Sequence, residues 1–363
     1  MLTGMASTSS TSVIIIGAGQ SGLAAARTAA DSGLTPVVLE SSDRPAGSWP
    51  QYYESLKLFS PAQYSSFPGT PFPGDPDGYP VRDQVASYIE RYANTLDVEI
   101  RTNTRVTAVE TAGEGFAVHT EHGDTLSAAG VVAASGSFSN PYRPQLPGQE
   151  RFTGEVLHVA DYRSPDRYAG KRVIVVGAGN SAIQVGYELG QVASTTLATR
   201  APITFTPQRK LGKDLHYWLK VTKLDLLPPA WLARLFHTTL VIDTGRYQSA
   251  VEAGRPDRRP MFSALDGSDV IWSDGTREPV DTILLATGYR PSLGYLAGLG
   301  ALDADGMPRH ESGISTTHPG LVYLGLEFQR SFSSNTLRGV HRDAEFVIPP
   351  LAAHVSKAAT TIA

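Results

Sequence analysis

Two glycine-rich hexapeptides, Gly17-Ala18-Gly19-Gln20-Ser21-Gly22 and Gly177-Ala178-Gly179-Asn180-Ser181-Ala182, carry the clearest chemistry in the chain. Each follows an apolar run and each opens a helical pattern, the setting in which such a turn binds a dinucleotide. The first glycine allows the tight turn. The second lets a pyrophosphate approach the backbone, and the third packs helix on strand, with Ala182 an accepted variant there. The phosphates then meet free N–H groups at a helix start. Equally far beyond the two first glycines stand Glu40 and Arg200. A carboxylate accepts hydrogen bonds from ribose hydroxyls, whereas a guanidinium binds a 2′-phosphate bidentately. The pair points to FAD at the first turn and NADPH at the second.

The elements that must hold these turns follow from hydrophobic pattern. Val13–Ile16 reads as a central strand buried on both faces, Ser21–Ala30 as a helix and Pro36–Glu40 as the next strand. Ser41–Gly78 has no clear period and is expected to run over a ligand. Asp83–Thr95 has a helical pattern, and four short strands are expected between Val98 and Leu126. Gly130–Ala134 is a further buried strand, ending at Ser135-Gly136. The second strand–turn–helix unit runs from Arg172 to about Arg200. Helices are expected near Asp214–Lys220 and Pro229–Phe236. Val270–Trp272 with Asp274-Gly275 reads as a hairpin edge, and Thr282–Ala286 as a buried strand leading into Thr287-Gly288-Tyr289. Leu321–Leu324 is the last strand, and Ser333–Asp343 opens a C-terminal helix.

The expected fold class is α/β with two Rossmann-like dinucleotide-binding domains, the second inserted in the first. The boundaries place a disordered leader at 1–11, the FAD-binding domain at 12–163 and 281–363, and the NADPH-binding domain at 164–280.

Composition narrows the function. The chain has 363 residues, 18% charged, with net charge −4. Such a balance gives no basic surface for nucleic acid. There is no cysteine, so redox-active thiol pairs, disulfides and thiolate metal sites are excluded. No metal site is expected. No apolar run reaches the roughly 20 residues that span a bilayer, and the polar N-terminus lacks signal-peptide features. The cytoplasm is the expected location. Oligomeric state is not read from the chain, and a homodimer is compatible with it.

Phe152-x-Gly154-x-x-x-His158-x-x-x-Tyr162 resembles the fingerprint of flavin-containing monooxygenases and stands just before the second glycine turn, as in that family. Ala286-Thr287-Gly288-Tyr289 resembles the second fingerprint, and Gly47-Ser48-Trp49 the element after the ribose acid. Tyr53–Pro73 and Gly325–Ala344 resemble the small bacterial flavoprotein monooxygenases of arsenic-resistance operons. The first of these stretches also resembles the plant auxin-forming monooxygenases. Tyr162 stands where Baeyer–Villiger enzymes carry Trp, which tilts the comparison toward heteroatom oxygenation.

The resemblance implies a glutathione-reductase-like pair of domains using FAD, NADPH and O2. Hydride from NADPH reduces the flavin, O2 adds at flavin C(4a), and the distal oxygen passes to a small sulfur or nitrogen nucleophile or a carbonyl. The alternative is an NADPH oxidase or electron-transfer reductase that inserts no oxygen. Expected cofactor contacts are Gly17, Gly19, Gln20, Ser21, Gly22, Glu40, Gly47, Ser48, Trp49, Ser135 and Gly136 for the first half. Thr336 and Leu337, ahead of the last helix, join them. Gly177, Gly179, Asn180, Ser181, Arg200, Thr287, Gly288 and Tyr289 serve the second half and its junction.

Many animal-type members carry an Asn near the flavin where this chain has Phe59, whose side chain donates no hydrogen bond. Ser60 and Asn335 are candidates to supply it, and His158 is a candidate for proton transfer or for the domain joint. His216, Tyr217 and Trp218 could line a substrate pocket with Trp49, Phe59 and Phe332. Asp214 reads as a helix cap.

Overall fold

The computed structural model describes residues 11–228, 231 and 240–362. The proposed leader and the helix expected at 229–236 lie outside the described residues, except for Thr11 and Trp231. Two sheets, the first mixed and the second parallel, carry the two glycine turns. In the first, β1 (Thr11–Ile16) lies between β2 (Pro36–Leu39) and β6 (Thr125–Ala133), with Ile14 level with Val37 and Val131. Val13, Ile14 and Ile15 are fully buried because helices or loops cover both faces. The strand Leu321–Tyr323 continues the sheet beyond β6, and β3 (Glu99–Arg101) continues it beyond β2. A hairpin of β4 (Val106–Ala112) and β5 (Gly115–Thr120) pairs antiparallel with β6. Sequence reading divides β6 into two strands, but the structure runs it unbroken.

Helix α1 (Gln20–Asp31) buries Leu23 and Ala24, Ala25, Ala26 and Ala29. Small side chains let it lie close to the sheet, and the C-terminal helix Val340–Ile362 packs on it through Val347, Ile348 and Leu351. Helix α2 (Arg82–Ala93) joins the same core through Val85, Tyr88, Ile89 and Tyr92. Tyr88 accepts the Phe67 N–H and donates to the Thr70 carbonyl, fastening the irregular stretch before α2 to the core.

The second sheet is wholly parallel. Its order is Asp257–Pro260, β9 (Ser194–Thr199), β8 (Arg172–Val176), Thr282–Leu285 and β7 (Glu155–His158). Helix α3 (Asn180–Leu189) covers β8. This corrects the expected boundaries. β7 and Thr282–Leu285, assigned by sequence to the first domain, pair within the second sheet. Both are short apolar strands beside polar turns, and such strands do not reveal which sheet takes them. The expected edge hairpin is a three-stranded antiparallel flap, Ala264–Asp266, Asp269–Ile271 and Arg277–Pro279. Of the two helices expected in the irregular stretch, the first is α4 (Leu215–Thr222). The last helix begins at Val340, after a turn that holds Ser333 to Gly339.

Candidate active site

The first glycine turn opens on a cavity of about 450 Å³. Gly17 has φ +105°, and a Cβ there would lie 2.7 Å from the Ala134 carbonyl oxygen at the end of β6. A Cβ at Gly22 would overlap the Gly17 carbonyl oxygen. Only glycine fits either position. α1 begins with no side-chain cap at Gly19, so its first N–H groups are free for an anion.

Glu40, 5% exposed, ends β2 at one end of the cavity. Its Oε2 accepts the Ala18 N–H at 2.7 Å, and its Oε1 accepts the Ser42 N–H at 2.9 Å and hydroxyl at 2.8 Å. The Ser41 hydroxyl donates to Oε1 as well, at 3.4 Å, and the carboxylate still presents acceptor lone pairs to ribose hydroxyls. Thr104 and Arg105 complete this end of the wall. Sequence reading missed both, since the turn after β3 carries no motif.

Gly47 also has positive φ (+55°), and a Cβ there would lie 2.7 Å from the Cα of Gly19. Trp49 Nε1 donates to Gln20 Oε1 at 2.7 Å, and Gln20 Nε2 donates to the Asn335 carbonyl at 2.9 Å. One glutamine thus ties the glycine turn, the Gly47–Trp49 element and the segment before the last helix. Ser135 donates to the Ser292 carbonyl at 2.7 Å and lies 2.9 Å from the Tyr295 hydroxyl. At Gly136 (φ +68°) a Cβ would meet no protein atom within 4 Å, so the backbone leaves open space on the cavity wall. An acid at one end, free N–H groups and bare backbone between, and Trp49 and Asn335 at the other end fit FAD.

The second turn repeats the first. Gly177 has φ +145°, and a Cβ there would lie 2.5 Å from the Ala286 carbonyl oxygen, as Gly17 meets Ala134. α3 also starts without a side-chain cap, at Gly179. Asn180 Oδ1 accepts the Ile242 N–H at 3.1 Å, which ties the helix start to the strand Leu240–Asp243. Ser181 is partly buried beside it, and Arg200 is exposed at the end of β9. Free N–H groups next to an exposed guanidinium fit a phosphorylated dinucleotide such as NADPH.

Between the turns lies a buried joint. His158 is fully buried. Its Nδ1 accepts the Ala160 N–H at 3.0 Å, so Nε2 carries the proton and donates to the Gly288 carbonyl at 3.1 Å. Burial, aided by Arg143, lowers its pKa from 6.5 to about 4. The imidazole is neutral, and both nitrogens are spent on backbone. Thr287 donates to the Tyr142 carbonyl, and Tyr142 N–H donates to the Gly288 carbonyl. Tyr289 packs edge-on to His158 at 5.1 Å and stacks on Phe138 at 5.3 Å. Tyr162 donates to Glu188 of α3 at 2.7 Å, and Ser55 donates to the same carboxylate at 2.9 Å.

Of the four candidate catalytic residues, only Asn335 lines the cavity. Ser60 Oγ is paired with Ser65 Oγ at 2.8 Å. The Phe59 ring faces His216 at 6.1 Å, outside the cavity wall. Thr336 donates to the Ser333 carbonyl, and Leu337 is buried in the core, so those two shape the turn rather than line the cavity. Among the described residues no group of three or more His, Cys, Asp or Glu could hold a metal, and no helix is long and apolar enough to cross a membrane.

Comparison with known proteins agrees with this architecture. Residues 14–325 match the pyridine nucleotide-disulphide oxidoreductase family, to which the chain belongs. A CzcO-like oxidoreductase from Geobacillus kaustophilus is 31% identical, covering 94% of this chain and 98% of its own. The indole-3-pyruvate monooxygenase YUCCA1 from Oryza sativa subsp. japonica is 32% identical over 77% of each chain. The solved flavin-containing monooxygenase from Stenotrophomonas maltophilia is 31% identical with TM-score 0.83, covering 95% of this chain and 99% of its own. Within the family the chain is a flavin-dependent monooxygenase, an enzyme whose cofactors are FAD and NADPH.

Proposed function

We propose that this enzyme works in the cytoplasm, holding FAD in the first cavity and NADPH at the second turn, and oxygenates a small sulfur or nitrogen nucleophile or a carbonyl. The observation that carries the reading is the repeated turn with opposite charges: buried Glu40 behind the first, exposed Arg200 behind the second. Bound FAD supplies hydride acceptance from NADPH and activation of O2. Glu40 orients the adenosine ribose, and the start of α1 neutralises the pyrophosphate. Arg200 selects the 2′-phosphate, and the start of α3 takes the NADPH pyrophosphate. Gln20 closes the cavity wall between Trp49 and Asn335 and so limits water. His158 acts as a neutral strut between β7 and Gly288, and it fixes the joint across which the two cofactors meet. The chain has no cysteine, so electrons cannot leave through a thiol pair of its own.

The test is product analysis under 18O2 with NADPH and four probe classes: a thioether, an amine, a ketone and a 2-oxo acid. Oxygenated product bearing one label, with NADPH consumed in proportion, is the expected result. Stoichiometric peroxide with every class would replace the monooxygenase reading by an NADPH oxidase.

A further inference from the structure

The irregular stretch after β9 carries a buried polar network that reaches into the first half of the chain. Asp214, 7% exposed, caps α4 by accepting the His216 N–H. Its carboxylate does more than cap. Oδ1 also pairs with His216 Nδ1 at 2.8 Å, while Oδ2 accepts the Tyr79 hydroxyl at 2.6 Å and the Gln208 amide at 2.7 Å. Gln208 Nε2 donates as well to the Phe59 carbonyl at 2.8 Å. The carboxylate can only accept, so His216 Nδ1 carries the proton and Nε2 keeps its lone pair. His216 is 2% exposed, and among the described residues none bonds that Nε2. The rings of Phe59 and Tyr64 stack on the imidazole at 6.1 and 6.2 Å. A base oriented by a carboxylate, walled by aromatic rings and with no partner at Nε2 among the described residues can receive a hydrogen-bond donor.

His216 does not itself line the first cavity; the segment that carries Asn335, which does, reaches toward the network through Arg338. With Glu40 at the adenosine end and the Gly17 turn at the pyrophosphate, Trp49 and Asn335 would stand at the flavin end of a bound FAD. Arg338 follows Asn335 by three residues, so the two are within roughly 10 Å. Arg338 Nε donates to Asp225 at 3.2 Å, and the Asp225 backbone carbonyl accepts the Ser333 hydroxyl at 3.3 Å. Arg338 and Asp225 both act electrostatically on His216. Burial lowers the His216 pKa; Arg338 acts in the same sense, while Asp214 and Asp225 oppose it.

We propose that His216, oriented by Asp214, accepts a proton from the molecule being oxygenated, and that this molecule carries an N–H, O–H or S–H at the atom that takes the oxygen. The proposal rests on the monooxygenase reading and narrows its substrate class to protic nucleophiles. For a secondary amine the balance is amine + O2 + NADPH + H⁺ giving hydroxylamine + NADP⁺ + water. The nitrogen lone pair forms the N–O bond and the N–H bond breaks, its electron pair staying on nitrogen. The proton passes to Nε2. The second oxygen atom leaves as water, with two electrons from NADPH. Asp214 stabilises the imidazolium, which then returns its proton to the water being formed.

The test uses the FAD-loaded full chain, first without NADPH or O2. N-methylaniline and N,N-dimethylaniline, which differ by one N–H, are titrated while flavin absorbance is read. The wild type should bind the N–H amine five- to tenfold more tightly. His216→Asn keeps a donor for Asp214 but has no atom at the Nε2 position, and it should abolish the preference. His216→Gln reaches the Nε2 position and should retain part of it. A histidine that only staples α4 would give the opposite order, Asn intact and Gln impaired, and that result overturns the proposal. So does equal affinity for the two amines in the wild type. With NADPH and O2 added, the wild type should yield at least tenfold more hydroxylamine per NADPH than His216→Asn. If only the monooxygenase reading fails, the affinity ratio persists while both amines give peroxide alone.

Discussion

The two glycine turns share a backbone plan and differ in what they tolerate. Gly17 and Gly177 both adopt positive φ, and at both a Cβ would strike a carbonyl oxygen of the neighbouring strand end, Ala134 or Ala286. The third position separates them. Gly22 leaves no room for a methyl group against Gly17, whereas Ala182 already carries one. The charged residues differ as well. Glu40 is buried and held by four donors, while Arg200 stands exposed at its strand end. The residue behind the first turn is enclosed by protein and the one behind the second faces solvent, as the proposal of FAD at the first turn and NADPH at the second requires. On that proposal the same motif serves a resident cofactor and an exchanging one, and burial of the ribose-end residue is what distinguishes the two turns.

The sharpest way to break the comparison is at the third position. Gly22→Ala forces its methyl group into the Gly17 carbonyl, and overpacking of this kind costs about 1–3 kcal/mol or more. The expected outcome is a chain purified without flavin, with a lowered Tm. Ala182→Gly should cost no more than about 1 kcal/mol, the helix penalty of glycine. Thermal melts and flavin content of the two variants check the pair. Equal losses would mean that the turns are packed alike.

A second contrast concerns the charges. Glu40→Gln weakens a charge-assisted bond to Ala18 and any bond to the ribose, each worth about 1.5–3 kcal/mol. FAD affinity should fall by roughly 10- to 100-fold, read by titrating apoprotein with FAD. Arg200→Ala should leave FAD content unchanged and lower kcat/KM for NADPH by about tenfold, with NADH little affected. A preference for NADPH that survives this variant assigns the 2′-phosphate to other groups, with Arg209, Lys210 or Lys213 next to be replaced.

Much of this contrast is legible in the sequence because both turns depend on local rules. A short apolar run, glycines at fixed offsets and a charged residue at the next strand end specify the unit whatever surrounds it. Long-range placement is not legible in the same way. β7 and Thr282–Leu285 read as strands, yet which sheet receives them depends on pairing with β8 rather than on their own residues. The family resemblance puts Phe59 near the flavin, with Ser60 a candidate donor beside it. In the structure the loop turns them toward Gln208, His216 and Ser65. Asp214 reads correctly as a cap, but its second and third partners, Gln208 and Tyr79, arrive from elsewhere in the chain. Tyr79 directly follows Ser41–Gly78, a stretch with no clear period, so no sequence rule could bring it to Asp214.

The strand ends that brace the two turns differ in one further way, and pH should expose it. Ser135, after β6, is held by Ser292 and Tyr295, groups that do not titrate near neutrality. Gly288, at the matching point of the second sheet, is held by His158, whose pKa is depressed to about 4. In the unfolded chain that imidazole titrates near 6.5. Between these values the unfolded state binds more protons, so the contribution of His158 to stability is complete above about 6.5 and is lost as pH falls toward 4. From pH 7.5 to 5.5 the loss is about 1 kcal/mol. His158→Gln keeps an N–H donor within reach of Gly288 but cannot take up a proton. Urea denaturation at the two pH values should show a fall in stability for the wild type that exceeds the fall for His158→Gln by about 1 kcal/mol. His216, His310 and His341 are also depressed by burial and steepen both curves alike, so only the difference between the two proteins belongs to His158. Identical falls would mean that the second joint, like the first, is indifferent to pH.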